Sequence, residues 1–403
     1  MMRKMIFQFN KTSMRNPITL PVYTLLFFLA LPHFSLCQEI SVIDGVRHKR
    51  NTKIADKDKA HIQLDFVRKY GGIDADDDEY FLYRPAAVAV DHKDNLYILD
   101  MDEPHVKVFD HNGKFLRSFG NKGSGPGEFM LPTSLTLDQH ENLWILDVRR
   151  HYITVLTPKG DFLRESYIVT DKGWIPHFIV RDDGNLLAGT TSGLLWSGLD
   201  KVYDDPIMKI VDQKGRLIRG FGEPGRYKDP TMAKTANAVY FALDKDENIW
   251  VAFLYQNRIE KYSSEGKLLI RMKRSLPYTI TEEPKAKYQF NKKGGVQGVG
   301  LSTLNIVSTG LGIDYKGRIW VMTFSRQPRY QAEGFMRVED GESDYVKLEI
   351  FDKNGILIDE KPLSEAFRPG QKAVYIKARC LFLLNGNDAS VMEYEISDNP
   401  HGD

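Results

Sequence analysis

Hydrophobic and polar residues alternate along this chain in short runs, and the same series of runs recurs several times. The regular copies have an apolar alternating run, an Asp, a short polar turn, and then Asn followed by apolar and aromatic residues, whereas the fifth has Arg318 at the Asn position and the sixth is degraded. The first copy runs through 85–91 and 95–100, and the second runs through 132–138 and 142–147. Short alternating runs separated by Gly, Asn and Asp predict antiparallel strands joined by tight turns.

Six such copies are present. The matched positions at residues 95, 142, 185, 248 and 318 are separated by 47, 43, 63 and 70 residues, so the longer intervals hold insertions. Each of the first five copies contains four strand-like runs, which is the make-up of one blade of a β-propeller. The predicted fold is all-β, a six-bladed β-propeller of four-stranded antiparallel blades.

The sixth copy ends after three strand-like runs, 374–377, 381–384 and 391–396. An isolated run near the N-terminus, 61–71, resembles the missing fourth strand. Placing this strand in the last blade closes the ring and removes two sheet edges. This closure predicts that residues 38–403 form one propeller domain.

The N-terminus has the layout of a secretory signal. Residues 1–37 carry four basic residues and no Asp or Glu, followed by an apolar stretch from Ile18 to Leu36. Pro21, Pro32 and His33 leave too short an uninterrupted run for a spanning helix of ~20 residues. We expect a signal peptide over 1–37, cleavage after Cys37 and no transmembrane anchor afterwards.

Cleavage places the protein outside the cytoplasm, in the periplasm or the extracellular space. Anchoring as a lipoprotein through Cys37 is the alternative, although Leu36 is larger than the residue that such a signal prefers before its cysteine.

From residue 38 onward the formal net charge is −3, so no broad basic field attracts nucleic acid. Only Cys37 and Cys380 exist, which excludes an intrachain disulfide framework once Cys37 is lost or lipidated.

The repeats resemble the NHL-repeat family of exported bacterial propellers. That family's pattern has Pro, apolar alternation, Asp, a turn, an aromatic run and then Asn-x-Arg-Ile with a terminal Gly. Residues 255–259, Tyr-Gln-Asn-Arg-Ile, and 123–129, Gly-Ser-Gly-Pro-Gly-Glu-Phe, match it, and the resemblance covers roughly 61–396. It implies the fold and leaves the function open, because such propellers include binding platforms, sensor domains and enzymes.

The two faces of the propeller are predicted to differ. The first face carries the loops that join strands two and three and the loops that join consecutive blades. Three large insertions fall there, at 191–205, 273–307 and 325–343, and insertions on one face usually mark a binding face. The second face carries turn carboxylates that we expect to stabilise the fold, namely Asp91, Asp138, Asp182, Asp244 and Asp314.

Candidate ligand-binding residues gather on the first face, where mixed charge and aromatic rings suit a polar or anionic ligand. They are Arg149, Arg150, His151, Trp174, His177, Tyr255 and Arg326. The alternative is a solvated loop surface.

Metal sites have less support in the sequence. His177 occupies the position where related lyase-type propellers place zinc-binding histidines, but the matching residues in the other copies are not histidines, so a three-histidine zinc site is not expected. His177 is then structural or a ligand contact. Asp100 and Asp147 are candidate ligands for one divalent cation, and the acidic run 74–79 is either a calcium site without a turn glycine or a solvated loop.

Two functions follow as hypotheses. The favoured one is a non-catalytic exported recognition propeller that binds a polar small molecule, a glycan, a peptide or a protein partner through the insertion-bearing face. The alternative is a metal-dependent hydrolase or lyase of the gluconolactonase-like propeller type, with Asp100, Asp147 and His177 at its metal. No Ser-His-Asp or Cys-His arrangement is recognisable in the sequence.

Overall fold

Six four-stranded antiparallel sheets follow one another along the chain and close into a ring. The computed structural model describes residues 38–55, 62–75, 77–167, 177–189, 205–290, 292, 296–301, 303–327, 346–363 and 369–398. The chain begins with β1 (Gln38–Ile43), β2 (Val46–Asn51) and β3 (Ile62–Gly71).

The first three blades use consecutive strands. Blade 1 contains β4 (Pro85–Val90), β5 (Leu96–Asp100), β6 (His105–Phe109) and β7 (Phe115–Phe119), and it is followed by the two short strands β8 (Asn121–Lys122) and β9 (Glu128–Phe129). Blade 2 contains β10 (Pro132–Leu137), β11 (Leu143–Asp147), β12 (Tyr152–Leu156) and β13 (Phe162–Tyr167). Blade 3 contains β14 (Phe178–Val180), β15 (Leu186–Gly189), β16 (Met208–Val211) and β17 (Leu217–Phe221).

Irregular elements surround blade 4. The short helix α1 (Pro230–Thr235) precedes its strands β18 (Val239–Leu243), β19 (Ile249–Phe253), β20 (Ile259–Tyr262) and β21 (Leu268–Arg274). The hairpin of β22 (Lys287–Phe290) and β23 (Val296–Gly300) separates blade 4 from blade 5. Blade 5 contains β24 (Ser308–Ile313), β25 (Ile319–Phe324), β26 (Val346–Phe351) and β27 (Leu357–Pro362).

Blade 6 confirms the predicted closure. It contains β28 (Pro369–Lys377), β29 (Cys380–Asn385) and β30 (Ser390–Asp398), and its fourth strand is β3 from the other end of the chain. The register runs from Ile62 opposite Asp398 to Gly71 opposite Ser390. β28 also contacts β4 of blade 1, so strands from both ends of the propeller complete the ring.

Buried apolar residues lie between neighbouring blades. Separate clusters fill the interfaces of blades 1 and 2, 2 and 3, 3 and 4, 4 and 5, 5 and 6, and 6 and 1. Alternating apolar residues place one row of each strand on either face of its sheet, and both faces are covered by a neighbouring blade. The aromatic residues that mark the repeat, among them Tyr97, Trp250 and Trp320, are buried in these clusters.

The N-terminal hairpin was not predicted. β2 pairs in parallel with β21, and β1 pairs with β2, so blade 4 becomes a six-stranded sheet. Two polar residues of β2 are buried against blade 5. Asn51 donates to Gly355 O at 3.1 Å and accepts from Leu357 N at 3.1 Å, and Lys49 Nζ donates to Asn354 O. The hairpin therefore joins the outer edges of blades 4 and 5.

Candidate functional site

The second face is built from tight turns whose carboxylates hold the backbone. Asp138 accepts hydrogen bonds from His140 N, Asn142 N, Asn142 Nδ2 and the indole Nε1 of Trp144, at 2.8–3.1 Å. Asp91 and Asp314 make the same kinds of contact in blades 1 and 5. Burial opposes ionisation of Asp138, but the hydrogen bonds from Trp144 and Asn142 outweigh it and keep the pKa below its usual range.

Blade 3 departs from this scheme, and the assignment of Asp182 to the carboxylate set is wrong. Arg181 occupies the turn position, because Arg181 N donates to Asn185 O as Asp91 N donates to Asn95 O. Arg181 pairs instead with Glu247 of blade 4 at 3.0 Å. The neighbouring Asp183 stabilises the turn by accepting from Asn185 N. In this blade an ion pair to the next blade replaces the internal carboxylate.

On the first face, Asp100 and Asp147 form equivalent backbone clamps. Asp100 accepts from the N–H groups of Tyr83, Arg84, Asp102 and Glu103, and Asp147 accepts from those of Met130, Leu131, Arg149 and Arg150. Both residues are fully buried. Each carboxylate thus ties the segment entering its blade to the loop between strands two and three. Because their carboxylate oxygens accept hydrogen bonds from backbone N–H groups, the two candidate metal ligands Asp100 and Asp147 have a structural role.

Arg149 and Arg150 differ sharply in their surroundings. Arg150 makes a two-pronged ion pair with Glu165, at 2.9 and 3.0 Å, and also donates to Glu128 O and Ser124 O. These contacts of the Arg150 guanidinium link the connection between blades 1 and 2 to β13. Arg149 is exposed on the same loop. Of the two candidates, Arg149 is the one presented to solvent.

His177 and His151 are held in place by packing. His177 is 8% exposed, its Nδ1 lies 3.2 Å from Ser134 Oγ, and its ring contacts Phe241 at 4.8 Å between centroids. These contacts bridge blades 2, 3 and 4 and favour the structural alternative for His177. His151 has a φ of 61° in its loop, and its ring lies 6.4 Å from that of Tyr167.

Tyr255 belongs to a cap over blade 4 that the sequence did not reveal. The segments 222–238 and 275–307 pack together through Met232, Ala236 and Leu304, with Tyr255 at the edge of this cluster. Asp229 starts α1 by accepting from Thr231 N and Met232 N, and its other oxygen accepts from Ala286 N. Asp followed by Pro at the first helical position is a helix-start signal that predicts α1 in retrospect.

The remaining candidates lie on the same face or outside the described residues. Arg326 is half-buried in the loop after β25. Trp174 lies outside the described residues, as do most of the insertions 191–205 and 325–343. The insertion 273–307 is described except for residues 291, 293–295 and 302, and it projects from the first face. Arg149, Tyr255 and Arg326 therefore share one face on three different blades.

The acidic run 74–79 is organised by lysine side chains. Lys107 Nζ donates to Asp78 O and to Phe81 O at 2.8 Å, and Lys69 Nζ pairs with Asp74 at 2.8 Å. Burial lowers the pKa of Lys107, and nearby carboxylates oppose that shift. Within the described ranges, no group of three or more His, Cys, Asp or Glu side chains is arranged to hold a metal. Cys380 is half-buried, and burial raises the pKa of its thiol.

Comparison with known proteins agrees with the architecture. Residues 77–273 match a family model. This model is DUF5128, a 6-bladed beta-propeller. The match spans the first four blades and shows the propeller fold without singling out the NHL-repeat family. No curated protein matches the chain.

Solved structures of low sequence identity share the fold. One is a protein of Bacteroides fragilis NCTC 9343 inferred to be exported, with 13% identity, coverage of 87% of this chain and 99% of that one, and a TM-score of 0.51. Another is a DUF4221 family member from Bacteroides vulgatus ATCC 8482, with 9% identity, 85% and 99% coverage, and a TM-score of 0.56. Virginiamycin B lyase from Staphylococcus aureus is a weaker structural match, with 12% identity, 83% and 99% coverage, and a TM-score of 0.45.

Among the described residues, no helix has the length and apolar character to cross a membrane. The only α-helix in those ranges, α1, has six residues.

Proposed function

We propose that this protein is an exported, non-catalytic recognition propeller that binds a glycan, a peptide or a protein partner through its first face. The proposal is supported by the difference between the two faces. On the second face, the recurrent carboxylates accept hydrogen bonds from the turns that carry them. On the first face, the loops between strands carry the exposed Arg149 together with Tyr255 and Arg326.

The exposed cation Arg149 is the clearest such side chain, since its neighbour Arg150 is engaged with Glu165. Tyr255 and Arg326 add an aromatic ring and a second cation on neighbouring loops. Polar and aromatic residues on loops that a rigid scaffold holds in place are typical of binding sites. The formal charge of −3 from residue 38 onward favours a local site over a general attraction to polyanions such as nucleic acid.

The test compares two variants of the mature protein that each lose two positive charges. The first carries Arg149→Ala and Arg326→Ala on the first face. The matched control carries Lys93→Ala and Lys245→Ala, two exposed residues of second-face turns. A ligand is first identified with wild-type protein on glycan and peptide arrays, and both variants are then titrated with it.

We expect the first-face variant to bind at least tenfold more weakly and the control to bind as wild type. The control should keep its unfolding midpoint, because surface substitutions away from caps and cores change stability by about 0.5 kcal/mol or less. The unfolding midpoint of the first-face variant is measured beside it, so that affinity is compared between folded proteins. Full affinity in the first-face variant, or an equal loss in the control, would place the site elsewhere.

A further inference from the structure

The β22–β23 hairpin of the cap carries positive charge and no negative charge. Between Pro284 and Leu301 the sequence contains four lysines and no Asp or Glu. Lys285, Lys287 and Lys292 are all exposed, and Phe290 is 62% exposed beside them. A chain that is acidic overall from residue 38 onward thus presents a cationic, aromatic projection on its first face.

This projection is held firmly by the rest of the cap. Thr231 Oγ1 of α1 lies 2.7 Å from the hydroxyl of Tyr288, and Ala286 N donates to Asp229 at 3.0 Å. On the other side, Thr303 Oγ1 accepts from Lys285 N and donates to Lys285 O, both at 2.9 Å. A two-stranded hairpin alone is marginally stable, so these anchors hold in place the strand that carries Lys285 and Lys287. Such preorganisation lowers the entropy lost when a ligand binds.

The outer side of the hairpin is open. Lys287 and Gln289 alternate with Tyr288, which faces α1, so they lie on the side away from the helix. Across the hairpin they stand opposite Gly300 and Gly298. Because glycine has no side chain, this strip consists of bare backbone flanked by an ammonium group and an amide. A flat ligand can approach both side chains there without a steric barrier.

Nearby carboxylates do not cancel this charge. Glu283, just before the hairpin, pairs with Lys228 at 2.5 Å, and the hydrogen bond from Lys228 lowers the pKa of Glu283. Asp229 is occupied by the N-terminus of α1 and by Ala286 N. Glu282 is exposed on the segment that leads into the hairpin. The three exposed lysines therefore exceed the free carboxylates around them.

We propose that this hairpin binds a carboxylate-bearing polysaccharide, and this inference rests on the proposed role of the first face in recognition. Spaced lysines match carboxylates that repeat along a chain, since complementary charge supplies both specificity and association rate. The amide of Gln289 and the adjoining bare backbone suit sugar hydroxyls, and the exposed ring of Phe290 offers an apolar surface to a sugar ring.

Two other classes of polyanion fit less well. Nucleic acid binding draws on many phosphate contacts, and three lysines on an acidic protein supply few. A membrane-inserting hairpin needs several apolar anchors, whereas Phe290 is the one exposed large hydrophobic residue between 275 and 307 in the described part of the cap. A uronate polymer combines spaced charge with the polar surface that this hairpin offers.

The experiment measures binding of the mature protein to immobilised polygalacturonate in buffer containing EDTA, so that divalent cations cannot bridge the two. The test variant carries Lys285→Gln, Lys287→Gln and Lys292→Gln. Its matched control carries Lys93→Gln, Lys245→Gln and Lys267→Gln, three exposed second-face lysines. Fully methyl-esterified polygalacturonate, which has the same sugar backbone without charge, and poly-glutamate, which has the charge without sugar, are measured in parallel.

We expect the hairpin variant to bind polygalacturonate at least tenfold more weakly than wild type and the second-face control to bind unchanged. The esterified polymer and poly-glutamate should each bind wild type at least tenfold more weakly than polygalacturonate. Absence of wild-type binding, an equal loss in the control, or equally tight binding of poly-glutamate would overturn the inference.

The Arg149→Ala, Arg326→Ala variant is measured on the same surface. If the array ligand depends on those arginines while polygalacturonate fails to bind, the proposed function stands and the hairpin inference falls. If polygalacturonate binding depends on the hairpin lysines while the array ligand ignores Arg149 and Arg326, the hairpin inference stands and the assignment of those two arginines to the binding site falls.

Discussion

At the residue scale, single carboxylates stabilise turns and loops by accepting several hydrogen bonds each. Asp138 satisfies two backbone N–H groups, an amide and the indole of Trp144, which is 2% exposed. Asp147 does the same for two separate first-face segments. A buried donor that loses its acceptor costs about 1–3 kcal/mol. These residues therefore matter for folding irrespective of any ligand.

We predict that Asp138→Ala lowers the free energy of unfolding by about 2 kcal/mol, because it leaves the Trp144 indole and the turn N–H groups without their acceptor. Gln139→Ala, an exposed residue of the same turn, is the control and should leave stability unchanged. Urea unfolding at pH 7 measures both.

The effect of Asp138→Ala should also depend on pH. The pKa of Asp138 in the folded protein lies below its unfolded value of about 3.9, so the stabilisation is fully present above pH 4. It is lost as the pH falls through the folded pKa. Equal unfolding free energies of variant and wild type at pH 7 would contradict the role assigned to this carboxylate.

The sequence predicted the roles of these carboxylates correctly where the repeat is regular. The prediction failed where the repeat is displaced by one residue. Four of the five proposed turn carboxylates hold their turns, and each lies four residues before the matched repeat position at 95, 142, 248 or 318. In blade 3 the turn begins at Arg181, whose N–H pairs with Asn185 O, and Asp182 lies three residues before Asn185 where the other carboxylates lie four residues before their matched positions. The burial of Arg150 was invisible too, since its partner Glu165 lies on another strand.

At the element scale, two N-terminal segments hold the ring together in different ways. β3 supplies the fourth strand of blade 6 and was predictable, because an isolated apolar run matched an incomplete last repeat. The hairpin of β1 and β2 was not predictable. Val46–Asn51 is mostly polar, and the burial of Lys49 and Asn51 depends on carbonyl groups of blade 5 some 300 residues away.

We predict that removing residues 38–55 lowers the unfolding midpoint while leaving a closed ring, and that removing residues 38–71 lowers it much further. The first truncation strips the outer edges of blades 4 and 5, whereas the second also exposes the edge of blade 6 and its cluster with blade 1. Thermal unfolding of both truncated proteins beside a protein comprising residues 38–403 is the measurement. Equal midpoints for the two truncations would show that β3 is not needed for closure.

At the scale of the whole propeller, the two faces are assigned different tasks. Short turns with internal carboxylates cover the second face, and the cap, the long connections and Arg149 lie on the first. The repeat predicted which loops share a face, because strand direction alternates along each blade. It could not predict how α1 and the 275–307 insertion pack together, since that contact depends on Met232 and Leu304, which lie outside the repeat pattern.

Recognition on the first face is tested most directly by hydrogen–deuterium exchange of a protein comprising residues 38–403, with and without saturating ligand from the array screen, since exchange reports local protection along the chain. We expect the ligand to slow exchange in the loops at 101–104, 148–151 and 254–258 and in the cap at 222–238 and 275–307. Protection confined to the second-face turns at 91–95, 138–142 and 244–248, with the first face unchanged, would contradict it.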